Sequence, residues 1–203
     1  MLSQRTETEL LRPHKLHDAS ILEPSSCLPN LGGVYAWYFA KAPPRVPTNR
    51  CKRVKGHVLL YVGIVPQERR KATAKPSTRT LRDRLRNHFH GDAYGSTLRL
   101  TLGCLLSGTL RIRLHRVGER RYTFGKSGEQ ALSRWMARNA KVVWSVTDKP
   151  WEAEKTLLAC LSLPLNIQHN EHSFVPCLRA IRRQARERAR LADTASVQSH
   201  TAS

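Results

Sequence analysis

Residues Gly33–Ala40, GVYAWYFA, and His57–Val65, HVLLYVGIV, are rich in β-branched and aromatic side chains. That composition is typical of buried strands. The residues that join the two segments, KAPPRVPTNRCKRVKG, are rich in Pro, Lys and Arg and predict a solvent-exposed loop. The length of the second segment and the loop before it predict that the two strands pair antiparallel.

The loop between the two segments carries positive charge without compensation. No acid occurs between Glu23 and Glu68, and six Lys and Arg residues fall in that interval. Such a concentration of positive charge is expected to contact nucleic-acid phosphates. We therefore expect phosphate contacts from five residues of the loop: Arg45, Arg50, Lys52, Arg53 and Lys55.

After the second segment, residues 81–90 (LRDRLRNHFH) give the clearest helical pattern in the chain. Leu81, Leu85 and Phe89 recur every four residues and form one apolar face. Thr78 or Thr80 can cap the start of this helix, and Gly91 ends it. The remaining elements are expected as follows: a helix at Thr97–Leu106 capped by Ser96, a helix after a capping box of Ser127 and Gln130, a strand at Lys141–Val146, a helix from Pro150 to about Leu161, and a helix at Arg179–Arg190.

This order of elements predicts an α+β fold, in which a small mixed or antiparallel three-stranded sheet is flanked by helices. Residues 1–30 mix charges and prolines without a clear period and predict an N-terminal arm. Residues 31–172 are expected to form the domain, and residues 173–203 a basic C-terminal helix and tail. The last helix carries six arginines, and we expect phosphate contacts from four of them: Arg179, Arg182, Arg183 and Arg186.

The net charge of the chain restricts its partners. Lys and Arg number 35 against 15 Asp and Glu, which gives a net charge of +20. Self-repulsion of this size is relieved by a polyanion. Nucleic acid, an anionic membrane and an acidic protein all qualify, and basic charge spread over a folded chain favours nucleic acid. The longest apolar run, Val58–Val65, is too short to cross a bilayer, so no membrane partner is expected.

The five cysteines are scattered and include no C-x-x-C pair, which supports neither a disulfide framework nor a structural zinc site. This usage suits a reducing compartment. The N-terminal residues lack the apolar core of an export signal. We therefore expect a cytoplasmic protein.

Glu154 is the residue that the helical pattern does not explain. On a helical wheel from Trp151, the side chains of Leu157, Leu158 and Leu161 gather on one side, and Glu154 falls among them. A carboxylate on a buried face must be paired, protonated or bound to a cation. Two interpretations remain open, a buried ion pair with an arginine and a metal ligand, because hard cations prefer carboxylate oxygens.

Arg84 and His88 are four residues apart and therefore share a face of the helix at residues 81–90. An arginine can stabilise charge on a phosphoryl oxygen, and a histidine can exchange a proton near neutral pH. The same helix carries Arg82 and Arg86, which we expect to contact phosphates. The alternative is that all of these residues form a solvated basic face.

These pieces also occur in an order that resembles the GIY-YIG nucleases. Gly33-Val34-Tyr35 and Tyr61-Val62-Gly63 are similar to the two tripeptides that name the family, and the helix at residues 81–90 is similar to its arginine helix. Glu154, followed by Asn166 twelve residues later, resembles the closing element of the family. The loop between the tripeptides and the stretch from Arg84 to Glu154 are longer than is common there.

The resemblance implies phosphodiester hydrolysis with one divalent ion, Mg²⁺ or Mn²⁺, at Glu154, and a nucleic-acid substrate with DNA favoured over RNA. It implies that Tyr35 acts as or orients the general base, and that Tyr61 contacts the water or the phosphate. It further implies that Arg84 stabilises the transition state, supported by His88, and that Asn166 holds the site by hydrogen bonds. The alternative function is a non-catalytic nucleic-acid-binding protein with the same fold, in which Tyr35 and Tyr61 only pack the core.

Overall fold

The computed structural model describes residues 2–24, 26–66 and 79–201, with residues 194–201 described by their backbone alone. Its strands, in chain order, are β1 (Gly33–Phe39), β2 (Arg53–Val54), β3 (His57–Val65), β4 (His115–Val117), β5 (Arg121–Thr123) and β6 (Ala140–Val146). Its helices are α1 (Gln4–Leu11), α2 (Leu81–His90), α3 (Thr97–Leu105), α4 (Ser107–Leu110), α5 (Gly125–Asn139), α6 (Pro150–Cys160) and α7 (Val175–Thr201), with a short 3₁₀ helix at Ala19–Leu22.

The main sheet has four strands in the order β2-β3-β1-β6, and all of its pairs are antiparallel. The α+β class and the antiparallel pairing of the first two strands are therefore confirmed. The expected number of three strands is wrong, because the two-residue strand β2 pairs with His57 and Val58 at the edge of β3. A separate hairpin of β4 and β5 also lies outside the sequence-based expectation.

Helices cover both faces of the sheet and divide the core into two layers. Tyr35, Trp37 and Phe39 of β1 project to one face and pack with the apolar residues of α2, α3, α5 and α7. Val34, Ala36 and Tyr38 project to the other face, against α1 and α6. Alternate residues of a strand point to opposite faces, so β1 contributes to both layers. All seven of its residues are buried.

The N-terminal residues contain more structure than the expected arm. Helix α1 buries Leu10 completely, and the hydroxyl of Tyr38 donates a hydrogen bond of 2.7 Å to the carbonyl of Leu10. His17 also pairs with Val142 as an isolated bridge beside β6. Much of residues 2–24 is therefore packed on the domain.

Helix α2 starts as expected from Thr80, whose side chain forms a reciprocal capping box with Asp83. The alternative cap, Thr78, lies outside the described residues. Ser96 caps α3 as expected. The capping box expected from Ser127 and Gln130 is wrong, because α5 already begins at Gly125, without a side-chain cap, and Ser127 lies inside the helix.

The C-terminal helix is integrated into the domain through its first half. Leu178 and Ala189 are buried in the same core layer as Tyr35, and α7 packs against α3 and β4. Among the described residues, no helix is long and apolar enough to cross a membrane.

Candidate active site

Tyr35 is placed by the pairing of β1 with β3. Its cross-strand partner is Gly63, and a Cβ at residue 63 would overlap the hydroxyl and ring of Tyr35. The glycine therefore gives the tyrosine the space to lie across β3. This contact explains physically why the two tripeptides, Gly33-Val34-Tyr35 and Tyr61-Val62-Gly63, occur together.

Asn166 fixes the backbone of the second tripeptide. Its side chain accepts a hydrogen bond of 2.9 Å from the amide of Val62 and donates one of 2.8 Å to the carbonyl of Val62. Asn166 is only 5% exposed, so both bonds are shielded from water. The residue between Tyr61 and Gly63 is thus held on both of its backbone polar groups, as a neighbouring strand would hold it.

The hydroxyl of Tyr35 is the centre of a hydrogen-bonded cluster. It accepts a bond of 3.2 Å from Nε of Arg84 and lies 2.8 Å from Nε2 of His88. Nδ1 of His88 lies 2.7 Å from Oγ of Ser96, the cap of α3. Because a neutral imidazole carries one N–H, His88 donates to one of these two hydroxyls and accepts from the other.

His88 is fully buried in this cluster, and burial lowers its pKa well below the ordinary value. The charges of Arg84 and Arg99 lower the pKa further. The imidazole is therefore neutral at physiological pH. The structure places Arg84 and His88 together with Tyr35, as expected, and it does not place them on a solvated face.

Burial also raises the pKa of Tyr35, and the nearby Tyr61 adds to that increase. Arg84 lowers the pKa of the same hydroxyl, and the effect of burial is the larger of the two. Burial likewise raises the pKa of the half-buried Tyr61. Both hydroxyls are therefore protonated and able to donate hydrogen bonds at neutral pH.

Arg84 is held from two directions. While Nε donates to Tyr35, its NH1 donates a hydrogen bond of 3.0 Å to the carbonyl of Gly95. Asn87 donates to the same carbonyl at 2.7 Å, so α2 is tied to the turn before α3 by two side chains. The contacts with the tyrosine hydroxyls raise the pKa of Arg84, which is thus a fixed cation.

Glu154 lies half-buried on α6, near the rim of the face that packs Ala153 and Leu157 into the core. Among the described residues, its carboxylate has no ion pair and no hydrogen bond, so the ion pair with an arginine, one of the two interpretations that the sequence left open, is absent there. Burial raises its pKa to about 7. Its charge in turn contributes to the raised pKa values of Tyr35 and Tyr61.

The structure distinguishes among the arginines that were expected to contact phosphates. Arg82 donates hydrogen bonds to the carbonyls of Leu22, Glu23, Ser26 and Leu28, the shortest of 2.8 Å. Its guanidinium therefore holds the N-terminal residues, which argues against the expected phosphate contact. Arg86, two residues beyond Arg84, is exposed.

Most of the loop side chains that were expected to contact phosphates are exposed at the protein surface. Arg45, Arg50, Arg53 and Lys55 are exposed and Lys52 is half-buried, whereas Val46 and Cys51 anchor the loop in the core. Three of these cationic side chains also contact other residues of the protein. Arg45 lies near Cys177, Arg53 donates a hydrogen bond to Thr48, and Lys55 donates one to the carbonyl of His14.

On α7, Arg179 and Arg183 are exposed, and Arg186 is half-buried with its guanidinium over the ring of Tyr122. Arg182 is different, because it turns inward. Its Nε is buried and has no hydrogen-bond partner among the described residues. Burial and the charge of Arg186 lower its pKa, while Cys104 and Tyr61 act in the opposite direction.

A supporting residue that the sequence did not reveal is Arg99. It is fully buried and pairs with Glu129 at 2.7 Å, and its NH1 donates to the carbonyls of His88 and Phe89. It thereby fixes the end of α2 that carries His88. The sequence feature that could have identified Arg99 is its position as the one charged residue of helix α3, TLRLTLGCL.

No group of three or more His, Cys, Asp or Glu side chains that could hold a metal occurs in the part of the chain that the structure describes. A metal bound beside Tyr35 and Tyr61 would be held by Glu154, whose charge acts on both hydroxyls. That residue fits the role, because a half-buried carboxylate without a partner regains favourable interactions when a hard cation binds it.

Comparison with known families agrees with this geometry. Residues 33–188 match the family model described as the GIY-YIG catalytic domain, and this range includes every candidate catalytic residue and the first half of α7. Neither the curated proteins nor the solved structures gave a match. Because the matched region covers well over half of the chain, the protein belongs to the GIY-YIG nuclease superfamily.

Proposed function

We propose that this member of the family is an endonuclease that hydrolyses phosphodiester bonds in nucleic acid, with DNA preferred over RNA. One divalent ion, Mg²⁺ or Mn²⁺, binds at Glu154. The observation that carries the proposal is the state of this carboxylate, which is half-buried, lacks a partner among the described residues, and raises the pKa values of Tyr35 and Tyr61.

The divalent ion supplies polarisation of the phosphoryl group and stabilisation of the leaving oxygen. Arg84 supplies a fixed positive charge to the phosphoryl oxygens, since its Nε and NH1 are already anchored by Tyr35 and Gly95. An anchored guanidinium needs little reorganisation when charge develops on the substrate.

Tyr35 orients the attacking water and does not itself remove a proton, because its raised pKa keeps the hydroxyl protonated. As the water oxygen bonds to phosphorus and the bond to the leaving oxygen breaks, the proton of the attacking water passes to solvent and the leaving oxygen takes up a proton from solvent. His88, neutral and bonded to both Tyr35 and Ser96, fixes the direction of that hydroxyl. Tyr61 donates a hydrogen bond to the water or to the scissile phosphate. Asn166 keeps Tyr61 in place by holding the next residue, Val62.

A plasmid-nicking assay tests the proposal. Supercoiled DNA is incubated with the full chain and Mg²⁺ or Mn²⁺, with a chelator in a parallel sample, and with the variant Glu154→Gln. We expect the wild type to nick the plasmid in the samples with metal and not in the sample with chelator, and we expect no nicking by Glu154→Gln. Binding of DNA without nicking in any metal would instead support the non-catalytic alternative, and an RNA of the same length measures the preference for DNA.

A further inference from the structure

Two tyrosines outside the candidate active site are each held against arginines at the surface. The guanidinium of Arg121 lies 5.0 Å from the ring centroid of Tyr94, and that of Arg186 lies 5.8 Å from the ring centroid of Tyr122. Nε of Arg190 donates a hydrogen bond of 2.9 Å to the hydroxyl of Tyr122. Arg121 and Tyr122 are consecutive in β5 and point to opposite faces of the hairpin, so the two clusters do not form one surface. We name Tyr94 and Arg121 the tyrosine–arginine surface.

This surface is joined directly to the candidate active site through the turn before α3. Tyr94 immediately precedes Gly95, whose carbonyl accepts hydrogen bonds from Arg84 and Asn87. Asp92 connects the turn to the hairpin, since it accepts a bond of 2.9 Å from the amide of Gly95 and one of 3.0 Å from Arg121. The residue that follows Tyr94 is therefore the one that anchors Arg84.

Tyr94 is 63% exposed, although most large apolar side chains of this domain are buried. One face of its ring is occupied by Arg121, and this exposure leaves the rest of the ring open to solvent. The contact with Arg121 and the salt bridge of that residue to Asp92 hold the ring in a defined orientation. An oriented, exposed aromatic ring is a suitable platform for stacking a planar group.

The charge on the hairpin whose Arg121 contacts Tyr94 indicates what kind of planar group the ring accepts. The hairpin and the turn before it carry exposed arginines with one acid among them, Glu119, and these arginines are Arg111, Arg113, Arg120 and Arg121. Aromatic rings interleaved with cations are the arrangement that binds single-stranded nucleic acid, through base stacking and phosphate contacts together. A base inside a duplex is already stacked on its neighbours and therefore cannot stack on such a ring.

We propose that the tyrosine–arginine surface binds unpaired nucleotides next to the scissile phosphate, with a base stacked on Tyr94 and phosphates on the hairpin arginines. The substrate class is then DNA that carries a single-stranded gap, flap or bubble beside the cleaved bond. This proposal rests on the proposed function for the position of the cleaved bond.

The test is a binding measurement in a chelator, so that no cleavage occurs. The full chain is titrated against a duplex with a short single-stranded gap and against the matching full duplex, and the gap contains 2-aminopurine as a fluorescent report of stacking. We expect the wild type to prefer the gapped duplex and to quench the fluorescence. Tyr94→Ala should bind the gapped duplex about 10-fold more weakly, with little change for the full duplex.

Two variants complete the test. Tyr94→Phe should retain both the preference and the quenching, because the ring alone stacks, and Leu191→Ala, at a residue that is 71% exposed, should match the wild type. If Tyr94→Ala keeps the wild-type ratio of affinities and the wild-type quenching, the stacking site does not exist. Thermal melts of each variant separate a defect in binding from a defect in folding.

The nicking assay keeps this inference separate from the proposed function. A preference for gapped DNA that depends on Tyr94, without cleavage of either the plasmid or the gapped duplex in Mg²⁺ or Mn²⁺, overturns the endonuclease proposal and leaves the stacking site supported. Nicking by a protein with no Tyr94-dependent preference overturns the stacking site alone.

Discussion

Tyr35 and Gly63 are direct partners across β1 and β3, and any side chain at residue 63 would overlap the hydroxyl of the tyrosine. That hydroxyl is also the atom to which Arg84 and His88 bond. The geometry of the candidate active site therefore depends on the absence of a single Cβ atom.

We expect Gly63→Ala to displace Tyr35 and to lose both activity and stability. Overpacking a filled core costs about 1–3 kcal/mol, so the melting temperature should fall. The matched control is Gly108→Ala in α4, where an added Cβ meets nothing within 4 Å. That control should melt at the same temperature or higher, because alanine favours a helix over glycine. Equal behaviour of the two variants would contradict the proposed packing of Tyr35.

The fold was predictable where a periodic pattern was long enough to be unambiguous. The segments of β1, β3 and β6 and the helix α2 all follow from the composition or spacing of their residues. Strands β2, β4 and β5 contain two or three residues each, which is too short for any period to show. Helix α1 is equally hidden, because its eight mostly polar residues gain stability mainly from tertiary contacts such as that of Leu10 with Tyr38.

For the candidate site, the sequence predicted which residues share a helix face and which residue is out of place on it. The spacing of four residues put Arg84 and His88 on one face, and the wheel identified Glu154 as out of place. The surroundings of these side chains were not predictable. His88 on α2 is buried in contact with Ser96 and Arg99 of α3, and the sequence alone does not show that these two helices pack together. For the same reason, the neighbouring Arg82 and Arg84 have different roles that their spacing does not distinguish.

Arg84 and Arg86 provide a direct comparison within one helix. Arg84→Ala should reduce cleavage about 100-fold, the effect of losing one well-placed donor to a developing negative charge. Arg86 is exposed and should affect mainly affinity when it is changed to alanine. Single-turnover rates at saturating protein separate the two effects. If the two variants lose the same amount of cleavage, Arg84 is only part of a basic face.

The phosphate contacts expected of α7 are best tested by substitutions, since a truncation within α7 removes buried residues. Deletion of residues 177–203 would remove Leu178 and Ala189 from the core, expose the residues that pack against them, and should unfold the protein. The double variant Arg179→Gln and Arg183→Gln removes two exposed charges instead. The slope of log affinity against log salt should then become shallower by about 0.9 for each phosphate that the protein no longer neutralises.

The control for that measurement is Arg82→Gln, in which the removed charge faces the protein. The variant cannot form the guanidinium hydrogen bonds to residues 22–28, so the melting temperature should fall while the salt slope stays at the wild-type value. A change of slope in Arg82→Gln, with none in the double variant, would reverse the assignment of the two groups.

We expect Glu154 to contribute to the pH dependence of both cleavage and stability. Its pKa is raised from the ordinary 4.5 to about 7, because burial disfavours the charged form. The native state therefore favours protonated Glu154, and its stability decreases as pH rises through the interval from 4.5 to about 7. A bound cation requires the carboxylate to be ionised, so metal-dependent cleavage should increase over the same interval.

The variant Glu154→Gln should separate these effects from a structural role. Without an acid to ionise, it should match the wild type at low pH and be more stable above pH 7, by an amount on the order of 2–3 kcal/mol. Cleavage should be lost at every pH, and extra Mg²⁺ should not restore it, while DNA binding in a chelator should remain. The matched control is Glu152→Gln, at an exposed acid of the same helix that lies 3.3 Å from Lys149, and it should keep wild-type cleavage and stability. A Glu154→Gln protein that melts at a lower temperature, yet cleaves normally per folded molecule, would show that Glu154 stabilises the fold and does not bind the metal.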